Sequence, residues 1–189
     1  ECKESAAPDK LARMARNFDL CILRQANPDK PNADFITDLS EGVLFYSGRP
    51  VFFMPYIGAH GIPARKGIIA WDGSAAASRA VHDSLPLLEQ MENVVILVVD
   101  ADKVERNDDT EPGEDLSRHL AAHGIKNEVM RVVSGGIGTS TTILNEVSNN
   151  GADIVIMGGY GTAKLREMML GGVTRTLFKT MTVPVVMSH

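Results

Sequence analysis

Gly151-Ala152-Asp153-Ile154-Val155-Ile156-Met157-Gly158-Gly159-Tyr160-Gly161 decides the fold. Gly151 reads as the stop of a preceding helix, because glycine accepts the left-handed conformation in which helices commonly end. The run Asp153–Met157 has no alternating polar face, as expected of a strand buried on both sides. The glycines that follow form a turn at its carboxyl end. Working outward, further apolar runs occur at Gly67–Trp71, Val94–Val99 and Val183–Met187. Asn127–Val132 carries Glu128 and Arg131 and therefore reads as an edge strand. Between the runs lie helical stretches at Ser74–Gln90, Pro112–His123, Thr139–Asn149 and Gly172–Met181, the first with Ser74 as N-cap. Strand–helix alternation of this kind predicts an α/β fold, a doubly wound parallel five-stranded sheet with right-handed crossovers.

The first 64 residues echo the end of the chain. Phe18-Asp19-Leu20-Cys21-Ile22-Leu23 parallels Ala152-Asp153-Ile154-Val155-Ile156-Met157, and Pro50-Val51-Phe52-Phe53 parallels Pro184-Val185-Val186-Met187. Both pairs share the spacing of Asp19 to Asp153, so the chain reads as an internal repeat. Residues 1–60 then form the C-terminal part of a first, degenerate copy, and residues 65–189 a complete second domain. The spacing, and a start at Glu1 rather than Met, predict roughly 65 to 70 further residues upstream.

A net charge of -5 argues against a nucleic-acid backbone as partner, since phosphate contacts need clustered Lys and Arg. No apolar run is long enough to span a membrane. Two cysteines, Cys2 and Cys21, cannot build a disulfide framework, and nine methionines suit a reducing interior, so a cytoplasmic location is expected.

The segment with most chemical content is Gly158-Gly159-Tyr160-Gly161, followed after nine residues by Gly171-Gly172-Val173. In an open parallel sheet, ligands bind beyond the carboxyl ends of the strands. Glycines there let main-chain N–H groups approach an anion, and a helix starting near Gly172 adds unpaired donors and a positive dipole end. These features suit a phosphate cradle; the alternative is a flexible glycine-rich turn.

Gly158-x2-Gly161-x9-Gly171 is similar to the Gly-x2-Gly-x9-Gly-(Ser/Thr) signature of the ATP-binding branch of the universal stress protein family. Ile68-Ile69-Ala70-Trp71-Asp72-Gly73-Ser74 resembles that family's opening strand, Gly151–Gly158 its fourth and Val183-Pro184-Val185-Val186 its last. The resemblance implies a Rossmann-like fold of the adenine-nucleotide α-hydrolase type. It further implies that Asp72 faces a nucleotide, that the backbone around Val98 reads the adenine edge, and that Gly158, Gly161, Gly171, Gly172 and Val173 wrap the ribose and phosphates. ATP, with Mg²⁺ accompanying it, is the implied ligand. One position departs: the hydroxyl of the signature is Gly172 here, with Thr174 in the same turn as a substitute. Lys164 stands where the family often has a small residue.

The first copy has no such loop. Arg24, Asn27 and Thr37 stand at the matching positions, and Pro28 and Pro31 remove N–H donors, so that half is expected not to bind nucleotide. Ser134-Gly135-Gly136-Ile137-Gly138-Thr139-Ser140 lacks the Lys-Ser/Thr of a P-loop and reads as a strand-to-helix turn with a Thr or Ser cap. His119 and His123 lie four apart on a helix, but no third metal ligand is evident from sequence, and His82 reads as structural. Cys21 reads as a core thiol, and Asp100–Asp115, with eight acidic residues, as a solvated loop. No nucleophile–base–orienter set is visible, so binding is expected rather than catalysis, a slow ATPase being the remaining enzymatic option.

The expected function is that of a nucleotide-responsive regulatory or protective protein. The alternative is an interaction module with a decayed phosphate loop. Val183–Met187 is an apolar strand at the edge of its own sheet and needs a cover. Family members pair it with a twin, for which Val51–Met54 is the natural mate, and a homodimer is expected as well.

Overall fold

The computed structural model describes residues 7–58, 64–104, 110–159 and 172–189. Among these residues seven strands form one sheet: β1 (Cys21–Arg24), β2 (Val51–Met54), β3 (Lys66–Ala70), β4 (Asn93–Val99), β5 (Asn127–Val132), β6 (Ile154–Gly158) and β7 (Val185–Ser188). Their order is β1-β2-β7-β6-β3-β4-β5. The last five strands pair parallel throughout, giving the doubly wound Rossmann-like arrangement expected of residues 65–189. The helices are α1 (Ala7–Ala15), α2 (Ala33–Tyr46), α3 (Ala75–Asp83), the single turn α4 (Leu85–Leu88), α5 (Glu114–Ala122), α6 (Thr139–Asn150) and α7 (Gly172–Thr180).

The strand runs are apolar throughout because each face of the sheet meets a helical layer. Ile68, Val95, Leu97, Val155 and Val185 face a core shared with Ile143 and Val147 of α6, Leu177 and Phe178 of α7, and Val43 and Leu44 of α2. The alternate residues Ile69, Ile96, Val98, Ile156 and Val186 face Ala80 and Val81 of α3, Leu88 of α4, and Leu116 and Leu120 of α5. Each such fully buried aliphatic side chain stabilises the fold by about 1.5–3 kcal/mol. β5, with its charged residues, lies at one edge as its composition predicts.

Local signals act where expected, with two differences. The Ala77 N–H donates to Ser74 Oγ at 3.1 Å, so Ser74 caps α3. Gly151 ends α6 at a φ of 59°, a left-handed conformation that glycine adopts most readily. The helix expected over Ser74–Gln90 is broken at Ser84, because Pro86 has no N–H to give and starts a new turn. The cap of α6 is Gly138 rather than a Thr or Ser: no side chain caps it, and the Thr142 hydroxyl instead bonds back to the Gly138 carbonyl at 3.0 Å.

β2 pairs antiparallel with β7, Val51 opposite Met187 and Phe53 opposite Val185, as expected of the Val51–Met54 mate. β7 is thereby an interior strand, and β1 and β5 are the edges. Phe53 meets Phe178 edge-on at 4.7 Å. Buried Gln25 bridges the seam, donating from Nε2 to the Phe178 carbonyl at 2.9 Å and accepting from the Tyr56 N–H at 3.1 Å. Beyond that seam the cover thins: Phe18, Leu20 and Ile22 are 62%, 40% and 66% exposed. Cys21 packs against the core, and burial pushes its thiol above the ordinary range.

Candidate functional site

β3 sits at the centre of the parallel sheet, with β4 on one side and β6 on the other. The chain winds outward from β3 through β4 to β5, then returns to β6 on the opposite side. The crevice beyond the carboxyl ends of β3 and β6 is therefore the topological switch point, where open α/β sheets bind ligands. Ala70 and Met157 are partners in register, so Asp72 and Gly158 flank this crevice. β7 runs parallel to β6, which obliges the crossover helix α7 to begin at the same edge.

Asp72 is exposed and its Oδ1 accepts from the Ser74 N–H at 3.0 Å, a turn that leads directly into the α3 cap. Val98 is buried with its peptide groups toward β5: the Val94 N–H donates to Lys126 and the Asp100 N–H to Val132, fixing the parity of even residues. The Trp71 N–H donates to the Leu97 carbonyl at 2.9 Å, so odd residues face β3. Around Val98, it is thus Val99 whose peptide groups face the side on which β3 has ended.

Gly158 has a packing role that the sequence does not advertise. A Cβ there would stand 2.6 Å from the Ala77 nitrogen and 2.9 Å from the Ala76 carbonyl carbon. The first turn of α3 rests on this glycine, much as the last glycine of dinucleotide-binding turns serves helix–strand packing. A Cβ on Gly159 would meet Leu44 of α2 at 2.8 Å, and the Gly159 N–H donates to the Ser188 carbonyl. The base of the glycine turn is thus held from three sides. Gly172 opens α7, is exposed, and among the described residues has nothing within 4 Å of where a Cβ would lie. Val173 packs against the core beside it, while Thr174, the substitute hydroxyl, is buried at 3% exposure. Gly161, Gly171 and Lys164 lie outside the described residues.

Two groups at this edge escaped the sequence reading. Asp100, which follows β4, adopts a φ of 52°, the sole positive φ outside glycine among the described residues. Its carboxylate accepts from Lys103 Nζ at 2.8 Å and from the Ser134 N–H and hydroxyl at 2.7 and 2.8 Å, tying the ends of β4 and β5 together. The Lys103 and Ser134 bonds hold its carboxyl at about 2. The folded pKa lies below the unfolded value near ~3.9, so the stabilisation is present above pH ~4 and is lost as pH falls toward ~2. Asn tolerates the same backbone, so Asp100→Asn isolates the charge. Its deficit in urea unfolding is expected to shrink steadily from pH 5 to pH 2; a deficit independent of pH would exclude this clamp. The second group is Ser188, buried at the end of β7, whose hydroxyl donates to Asp83 Oδ2 at 2.7 Å.

The structure also gathers the histidines. His82 stands 5.0 Å from His119, and His119 stands 4.7 Å from His123, centre to centre.

The sequence profile of the Universal stress protein family matches residues 64–189. No curated protein matches the chain significantly. Among solved structures, a universal stress protein from Archaeoglobus fulgidus DSM 4304 superposes with a TM-score of 0.69 at 22% identity, covering 95% of this chain. The present chain spans 63% of that relative's length. The functionally unknown protein PA1789 from Pseudomonas aeruginosa PAO1 gives 0.57 at 12% identity over 98% of this chain and 67% of its own. The hypothetical protein MJ0577 gives 0.51 at 28% identity over 64% of this chain and 92% of its own. The two relatives of lower identity speak for the fold alone. The profile match covers the whole of β3–β7, the strands that build the switch-point crevice, and on that footing the chain belongs to the universal stress protein family.

Proposed function

We propose that this chain is a cytoplasmic, nucleotide-responsive regulatory or protective protein, binding ATP or a related adenine nucleotide, accompanied by Mg²⁺, at the β3–β6 crevice and turning it over little. The observation that carries this reading is the placement of Asp72 and Gly158 on either side of the switch point, with α7 starting at the same edge. The Val99 peptide groups supply a donor and an acceptor for an adenine edge. The N-terminal amides of α7 supply donors for phosphate. Gly161 and Gly171 enter through the family signature. The role is binding rather than catalysis: among the described residues no nucleophile–base–orienter set stands at the crevice.

Calorimetric titration with ATP and Mg²⁺ tests the reading. Micromolar binding is expected, with Gly161→Val abolishing it. Gly172→Ser restores the signature hydroxyl at an exposed helix start and is expected to tighten binding about five-fold, the equivalent of ~1 kcal/mol. ATP recovered intact from the complex supports a binding role. No heat from the wild type, and none from Gly172→Ser, would overturn the nucleotide reading and favour the interaction module. The β1 edge, unpaired among the described residues and flanked by exposed Phe18, Leu20 and Ile22, supports a further reading, assembly as at least a dimer, which sedimentation at micromolar concentration reads directly.

A further inference from the structure

Gly159 is the last described residue before Gly161, and both of its peptide groups are tied to the end of the chain's last strand. Its N–H donates to the Ser188 carbonyl at 2.8 Å, continuing the parallel ladder in which Gly158 stands opposite Ser188. Its carbonyl lies 3.0 Å from Nδ1 of His189. A carbonyl can only accept, so Nδ1 carries the proton and donates. A side chain thus holds a main-chain group at the root of the glycine turn.

The imidazole is itself seated. Phe45 of α2 meets it edge-on, with ring centres 4.8 Å apart and planes at 78°. Leu44, beside Phe45 on the same helix, stands 2.8 Å from where a Cβ of Gly159 would lie, so α2 packs against the peptide as well as the ring. Ser188, which precedes His189, is anchored to α3 by its hydroxyl bond to Asp83. α2 lies ahead of the family-matched residues 64–189, whereas Gly159 lies within them. The N-terminal part of the chain and the nucleotide crevice therefore meet at this one peptide.

We propose that His189 is a positioning residue for the nucleotide site: seated by Phe45, it fixes the Gly159 peptide and so sets the direction in which the glycine turn leaves β6. This inference rests on the nucleotide reading of the crevice. Main-chain donors bind phosphate best when their direction is fixed beforehand, because each peptide ordered on binding subtracts its conformational entropy from the affinity. His189 acts through Gly159 rather than on the ligand. Through Phe45, α2 gains a hold on a site to which it contributes no ligand contact of its own.

The test compares His189→Leu and His189→Asn with the wild type by calorimetric titration of ATP and Mg²⁺, thermal unfolding, and amide hydrogen exchange at Gly159 without nucleotide. Leucine keeps an apolar body against Phe45 but has no donor. Asparagine carries Nδ2 where histidine carries Nδ1, both one bond beyond Cγ. His189→Leu is expected to weaken ATP about five-fold, the worth of one hydrogen bond, and to speed exchange at Gly159. His189→Asn is expected to restore both. Melting temperatures should stay together, since His189 is half-buried and water can replace the lost donor. Phe45→Ala should weaken ATP in the same direction. Undiminished affinity and exchange in His189→Leu would overturn the proposal while leaving the nucleotide reading intact. A fall in melting temperature that tracks the affinity, or no rescue by His189→Asn, would reduce His189 to a structural contact and also overturn it. No binding by the wild type would sink the nucleotide reading and this inference with it.

Discussion

Phe53→Ala lowers the unfolding free energy by about 3–5 kcal/mol, the usual cost of emptying a buried phenylalanine site. Phe53 is 1% exposed and stacks edge-on against Phe178, so its removal leaves a hole where β2 meets α7. The hole cannot collapse easily. The backbone on one side is fixed by the pairing of Phe53 with Val185, and on the other by Gln25 holding the Phe178 carbonyl. Urea unfolding followed by circular dichroism should show one transition displaced to lower denaturant with unchanged slope, since the seam belongs to a single cooperative sheet. A loss below about 1 kcal/mol, or a separate early transition, would mean that β1 and β2 are only loosely attached.

Gly158→Val is the second large effect, expected at about 3 kcal/mol or more. The clash is with backbone, the Ala77 nitrogen and the Ala76 carbonyl carbon, so no side-chain rotation relieves it. α3 must lift from β6, and the Asp72–Ser74 turn moves with it. Stability and nucleotide affinity should fall together in this variant, whereas Gly172→Ser acts on affinity at an open position. Thermal unfolding alongside calorimetry separates the two. A stable Gly158→Val protein would show that α3 does not rest on this residue.

The fold was legible because its signals are short-range. Ile154–Met157 and Val94–Val99 lack a polar face, and only two-sided burial explains that. The same holds for the mate of β7, since Pro50-Val51-Phe52-Phe53 copies Pro184-Val185-Val186-Met187. The site was legible only in part. Asp72 and Gly158 could be placed because they end strands whose order follows from the family pattern. The packing load on Gly158 could not, because it depends on the angle at which α3 crosses β6. Asp100 looked like one member of an acidic loop; its clamp requires Ser134, which is remote in sequence. His82 had no visible partner until α3 and α5 were set side by side, because nothing in the spacing of His82 and His119 encodes adjacency.

The antiparallel seam between β2 and β7 also bears on how the molecule forms in time. β2 is made before its neighbour β7, which follows only after the whole intervening α/β unit has been made. The Gln25–Phe178 bond likewise closes a separation of 153 residues. Contacts of such range are slow, because the chain must be ordered across the loop before they return any stability. Until β7 is made, one edge of β2 stays unpaired and Val51 and Phe53 have only the α1 and α2 part of their core, which makes this segment the natural client of a holding chaperone and the first to aggregate if elongation stalls.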